Sequence, residues 1–368
     1  MTRAALAACA AALLAAGAPA AAAAEEELAS QVGDELQVAA GRPAPNEPRA
    51  RYLGDTLTGS FDLGHDLSLD LSLGLLGQQA QEPVPRQAFG TRGGLVGDLQ
   101  AGLAWQADEH WLLGGALDYS PPSVLESDTS VGLTTATGTT GTADALLSSR
   151  TSSGGVHLSA AWSSAGDSDL EWAWDLDAAA TGYRSDQRIV ALRTATGVPV
   201  TARELETYCR AHTCSPQLLG LLADRPASIG QAEIGAGVTA TAWADTDLGL
   251  AGARYGYQGD PLAAGFFTLA SAGRAATSFG TGMALEPLLW SVTPSVAHRF
   301  GPVSVRLWLQ HGEYVDAQGR SDLLGVKVIW RATRRWRLWA GAIAQTDRDA
   351  QGAPSTFDQL AAGASCGF

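Results

Sequence analysis

Leu67, Leu69, Leu71, Leu73 and Leu75 alternate with Ser68, Asp70, Ser72 and Gly74. A helix would scatter these leucines around its circumference, whereas a strand sets all of them on one face. The run before it, Leu53, Leu57, Phe61 and Leu63, keeps the same parity with Thr56, Thr58, Ser60 and Asp62 between, and Gly64-His65-Asp66 joins the two as a hairpin. One face is therefore apolar and the other wet.

The same unit recurs along the chain. Leu95 to Trp105 pairs with Trp111 to Tyr119, Val156 to Trp162 with Leu170 to Ala178, and Ala232 to Ala242 with Leu248 to Tyr257. Leu288 to Phe300 then meets Val303 to Leu309, Leu324 to Trp330 meets Trp336 to Ala344, and Asp358 to Phe368 stands alone, giving thirteen runs. Each pair is joined by a short turn, while the intervening connections are long: residues 76–93, 120–152, 181–229 and 258–285, with shorter ones at 312–322 and 345–356. Such loops are uncommon in compact soluble domains but normal in transmembrane β-barrels, whose short turns lie on the periplasmic side. The expected fold is all-β, an antiparallel up-and-down transmembrane barrel of about 14 strands, within about 12–16, with long extracellular loops. An even count requires one more strand, and Val32, Leu36, Val38 and Ala40 share a parity that supplies it, followed by a Pro-rich first loop.

The N-terminus reads as an address. Arg3 precedes an Ala/Leu stretch from Ala4 to Ala24, which predicts a cleaved secretory signal over residues 1–24. A rival lipobox at Leu6-Ala7-Ala8-Cys9 would leave an apolar region of about five residues, below the 7–15 of a signal. Residues 25–52 form a lead holding the candidate first strand and the Pro-rich loop, and residues 53–368 the barrel, with a loop insert at 181–229. Beyond residue 24 no window reaches the roughly 18 apolar residues of a membrane helix, so any crossing is made by strands. Charged residues are only 17% of the chain and the net charge is −14, which disfavours a nucleic-acid partner.

Aromatic placement supplies a second test. Trp105, Trp111, Trp162, Trp330 and Trp336 sit at strand ends beside short turns with the parity of the outward leucines, and Tyr119 closes the opposite end of its strand, as an interfacial girdle requires. Trp243 falls on the wrong parity.

The last run places Asp358, Leu360, Ala362, Ala364, Cys366 and the terminal Phe368 on alternate positions. This resembles the C-terminal recognition signal of Gram-negative outer-membrane barrels. The resemblance covers roughly residues 53–368 and implies insertion by the barrel-assembly machinery and residence among outer-membrane lipid, with Phe368 as the assembly signal. A barrel of about fourteen strands is also similar in size to the long-chain fatty-acid transporter family, whose Asn-Pro-Ala hatch motif is missing near the mature N-terminus.

With the outward parity fixed, the alternate residues face inward. Asp62, Asp70, Asp98, Asp118, Glu171, Asp175, Asp177 and Glu233 come from the first strands, and Arg299, Arg306, Lys327, Arg331 and Arg337 from the last. Closing the sheet predicts opposed acidic and basic walls, and the small inward residues between them favour a hydrated lumen. The expected function is porin-like passage of small hydrophilic solutes. The alternative is a closed barrel acting through its loops as a surface receptor, adhesion or envelope-assembly component.

Arg203 to Tyr208 and Gln217 to Leu222 read as a helical insert around a possible Cys209–Cys214 disulfide. Two thiols and His212 make an incomplete metal set, so no metal or cofactor is expected. His157 has luminal parity and His311 outward parity, and neither carries a hydrolase motif; no enzyme activity is expected.

Overall fold

The computed structural model describes residues 30–42, 50–82, 89–134, 140–164, 171–194, 196–211, 226–243, 245–261 and 287–368. The segment read as a signal, the lead up to residue 29 and the Pro-rich loop at 43–49 lie outside the described residues, as do Cys214, Gln217 to Leu222 and residues 262–286.

The first half of the chain forms β1 (Ser30–Arg42), β2 (Ala50–Gly64), β3 (Leu67–Gln78), β4 (Gly94–Gln106), β5 (Trp111–Thr134), β6 (Thr140–Ser163) and β7 (Glu171–Thr194). After a two-residue strand β8 (Pro199–Val200) and a helix α1 (Ala202–Ala211) come β9 (Ala227–Trp243), β10 (Thr246–Gln258), β11 (Leu288–Phe300), β12 (Val303–Tyr314), β13 (Gly319–Arg331), β14 (Trp336–Asp349) and β15 (Pro354–Gly367). Every long strand has two antiparallel neighbours, because β1 pairs with β15 and β6 with β7. The sheet thus closes into a fourteen-stranded ring, which leaves no exposed edge for the lipid to meet. The N-terminal run Val32 to Ala40 is the strand that completes the even count.

The lipid belt follows the leucine parity. Val32, Leu36, Leu57, Leu73, Leu99, Leu117, Leu158, Leu176, Ile234, Leu250, Leu309 and Leu324 are all exposed on the outer face. At the short-turn end Trp111, Trp162 and Trp174 form a continuous outer aromatic cluster, with Trp111 and Trp174 edge to face at 5.0 Å and Trp162 and Trp174 stacked at 6.3 Å. Trp105, Trp330 and Trp336 are exposed at the same end, and Tyr119 is half exposed at the top of the belt. Trp243 is 67% exposed despite its parity. A bulge explains it: Trp243 pairs with Thr246 while Thr241 pairs with Asp247, so Ala242 is an extra residue that turns the indole outward. The β2–β3 turn carries His65 and Asp66 at φ 56° and 60°, the two-residue hairpin geometry that matches strand twist.

Several connections are shorter than the sequence suggests. The stretch 120–152 is largely strand, since β5 runs to Thr134 and β6 starts at Thr140; β7 likewise extends to Thr194, the connection between β12 and β13 is only 315–318, and that between β14 and β15 only 350–353. Leucine alternation marks only the lipid-contacting length of a strand. Above the belt the hydrogen-bond ladder continues through Ser, Thr and Gly, which carry no such mark.

β5, β6 and β7 are each 24 residues long, about twice what a crossing needs. Their upper halves form a three-stranded extension. On the face continuous with the lumen, Leu205 of α1 packs against Ala143, Ala145, Leu147 and Leu192. α1 opens on a reciprocal cap: Glu204 N–H donates to Thr201 Oγ1 (3.2 Å), and Thr201 N–H donates to Glu204 Oε2 (2.7 Å). The Thr201 N–H and the Thr201 hydroxyl, both donating to the carboxylate, hold Glu204 below its usual pKa. On the opposite face of the extension, Phe89 N–H donates to Asp128 Oδ2 (3.0 Å), Arg92 N–H donates to Glu126 Oε2 (2.9 Å), and the Arg193 guanidinium lies 5.2 Å from the Phe89 ring centroid. Cys209 is disulfide-bonded, and Cys366 is a free thiol on β15.

Candidate functional site in the barrel lumen

The pleat that sends leucines to lipid sends their neighbours inward, so the lumen is built from alternate residues of all fourteen long strands. Asp62, Asp70, Asp98, Asp118, Glu171, Asp175, Asp177 and Glu233 occupy lumen-facing positions on β2 to β9, and Arg299, Arg306, Lys327, Arg331 and Arg337 on β11 to β14. Arg306 and Lys327 are direct cross-strand partners, as are Arg331 and Arg337.

The two signs are less segregated than the sequence reading expects. Asp247 on β10 faces inward with its Oδ2 3.9 Å from Arg299 Nη2, and accepts from Thr241 Oγ1 at 2.8 Å. Glu35 on β1 is attracted to Lys327, whose ammonium lies 4.1 Å from the Trp339 ring centroid. On the acidic side, His157 Nε2 lies 3.2 Å from Asp118 Oδ1. Glu35 and Asp247 obey the parity rule that identified the other charges, set by Leu36 and by Leu248 and Leu250, so the sequence signal for them exists.

The lumen differs along its length. In the half nearest the short turns the wall of β1 to β6 carries mostly small and polar side chains, and a cavity of about 470 Å³ lies against it, lined by Thr58, Ser60, Ser72, Gln100 and Ser159 among others. Towards the long-loop end it is packed. Trp308, Leu323 and Ile343 form one inward apolar layer, and Ala39, Leu76, Val96, Leu125 and Phe357 a second. Between them run polar ladders: Gln359 Nε2 donates to Gln37 Oε1 at 2.6 Å, and Gln345 Nε2 donates to Asp347 Oδ2 at 2.9 Å. Tyr314 Oη also donates to Asp347. Buried amides and carboxylates need such partners in an interior closed to water. The inward aromatics and glutamines were not singled out in the sequence, where aromatic residues read as girdle.

His311 points outward, at the rim of the belt, with Nδ1 2.7 Å from Asp322 Oδ1 and its ring 5.5 Å from that of Trp290. The cross-strand and same-strand outward neighbours of His311 are Val292, Leu309, Glu313 and Asp322. Among the described residues no group of three or more His, Cys, Asp or Glu could hold a metal ion.

Solved structures with the same architecture exist. The chain is similar to the TodX monoaromatic hydrocarbon channel deltaS2 mutant (10% identity, 92% of this chain and 90% of that one, TM-score 0.54). It is also similar to the Ralstonia pickettii toluene transporter TbuX (9%, 93% and 90%, TM-score 0.51) and to a Pseudomonas aeruginosa FadL homologue (11%, 92% and 89%, TM-score 0.50). The fold is that of a Gram-negative outer-membrane β-barrel. No family sequence model and no curated protein matches the chain. At these identities the likeness concerns the ring of fourteen strands and not the residues inside it.

Proposed function

We propose that the protein is an outer-membrane channel for small hydrophilic solutes, with its flow restricted at the outer end by the two apolar layers. The observation that carries this reading is the lining of the inner half along β1 to β6: hydroxyls, amides, the Asp70 carboxylate, the His157 imidazole, alanines and glycines facing a cavity of about 470 Å³. Removing a hydrocarbon from water gains nothing against such a surface, because each lining group would lose its hydrogen bonds to water at about 1–3 kcal/mol. A polar solute replaces those bonds. The acidic set on β2 to β9 and the basic set on β11 to β14 give the path a transverse field that orients dipolar solutes. Exported chain, outer-membrane residence and insertion by the barrel-assembly machinery belong to the same reading, supported by the fold and by the terminal Phe368.

A second reading, passage of small apolar molecules, is favoured by Trp308, Leu323 and Ile343 in the outer half and by the hydrocarbon substrates in the names of the structural neighbours. Planar-bilayer recording with the purified full chain separates the two. Stepwise ionic currents are expected; a persistent seal with folded protein overturns the hydrophilic channel, and a seal accompanied by toluene flux into vesicles installs the second reading in its place.

A further inference from the structure

The cavity against β1 to β6 has a chemistry of its own. Of its inward side chains all but Ala104 and Ala116 are hydrogen-bonding groups, among them Thr58, Ser60, Asp70, Gln100, His157 and Ser159. No lysine or arginine lines it. The leucines at its margin, Leu71 and Leu103, belong to the outer face by parity and turn their side chains to lipid. Its depth is set by glycine: a β-carbon at Gly114 would stand 2.5 Å from Ser159 Oγ, and one at Gly102 would stand 3.3 Å from the Ala116 β-carbon. The volume of about 470 Å³ falls within the range of small-molecule sites, about 300–1,000 Å³.

The lining decides which solutes fit. Hydroxyls and an amide both donate and accept, so a ligand with several hydroxyl groups can satisfy them in pairs. Asp70 only accepts when ionised, which favours donors and positive charge. His157, a further lining group, lies 3.2 Å from Asp118, which stands beside the cavity and brings a second carboxylate to it. An anion would meet these carboxylates without a facing guanidinium or ammonium in the lining, and an apolar molecule would strip water from the hydroxyls without replacing it.

We propose that this cavity is a binding site for small polyhydroxylated solutes that carry no negative charge. The proposal rests on the reading that the lumen is the solute path, and it makes the cavity the selective station on that path.

The test uses the full chain in nanodiscs, with glucose, glucosamine and gluconate as probes, and reads binding by saturation-transfer NMR and equilibrium dialysis. Glucose and glucosamine are expected to bind, with gluconate about tenfold weaker or worse, a difference of about 1.4 kcal/mol. Gly114→Val, which fills the cavity, is expected to abolish glucose binding, and Asp70→Asn to bring gluconate to within about threefold of glucose. Gluconate binding as tight as glucose, or glucose binding unchanged in a folded Gly114→Val, overturns the site. If Gly114→Val does not fold, the Asp70→Asn arm decides: an unchanged glucose-to-gluconate ratio overturns it. Sugar flux into liposomes is measured separately. Binding without flux removes the channel reading and keeps the site, while flux without binding removes the site alone.

Discussion

Gly325 on β13 lies directly across from Trp308 on β12, beneath its indole: a β-carbon at Gly325 would fall inside the envelope of indole Cε2 and Cζ2. The glycine is what allows Trp308 to lie flat over the wall and join Leu323 and Ile343 in the inward layer. Gly325→Val therefore expels the ring. Overpacking of this kind costs about 1–3 kcal/mol, and the expected result is a lower temperature for the heat-induced shift of the folded band on SDS gels. Trp308→Ala removes the ring without the clash and should raise single-channel conductance while leaving the barrel closed.

The Asp128 carboxyl stands on the extension above the belt. Burial is the first cause of its pKa being raised from 3.8 to about 6, opposed by the Phe89 N–H and assisted by the charge of Asp144. The folded state thus holds the proton over a range where the unfolded chain has lost it. By linkage, stability of this region falls as pH rises from about 4 to about 6 and is level above. The protection factors of the β5–β6 amides, exchange corrected for its intrinsic base catalysis at each pH, should fall across that window. Asp128→Asn should flatten the response; an equally steep profile in that variant would remove Asp128 as its source.

Thr201 and Glu204 cap α1 reciprocally. Thr201→Ala is expected to cost about 1 kcal/mol of local helix stability, seen as faster exchange of the first α1 amides with the barrel unchanged. Thr201→Ser keeps the oxygen and should behave as the parent.

Lys327 faces the lumen beside Arg306 and over Trp339. Lys327→Met removes one luminal positive charge. In a salt gradient across a planar bilayer the reversal potential should move toward the cation value, and Lys327→Arg should leave it in place.

How far the molecule could be read from its residues depends on what each environment writes into the chain. Lipid contact writes a leucine at every second position, so the hairpins, the outward tryptophans and the N-terminal strand around Val32 to Ala40 were legible. The same rule reaches the luminal charges, because an inward residue is defined by its outward neighbours. Strand length above the membrane was not legible: residues 120–134 and 140–153 carry no leucine at every second position, and nothing repeats. Trp243 broke the parity because a bulge adds one residue, which no count of alternation foresees. The inward packing of Phe357, Trp308 and Gln359 depends on which strands face one another across the ring. That is a property of closure, absent from any single hairpin.

Closure has a kinetic side. Val32 meets Cys366 and Leu36 meets Ala362, so the seam joins the earliest and latest strands of the chain. These are contacts of nearly maximal sequence separation, and joining them carries the largest loop-closure entropy of any pairing in the molecule. Until both ends are present together, the two terminal strands have half their backbone groups unclaimed. Closing the ring thus depends on both ends at once, and any delay at either terminus is a delay for the entire barrel.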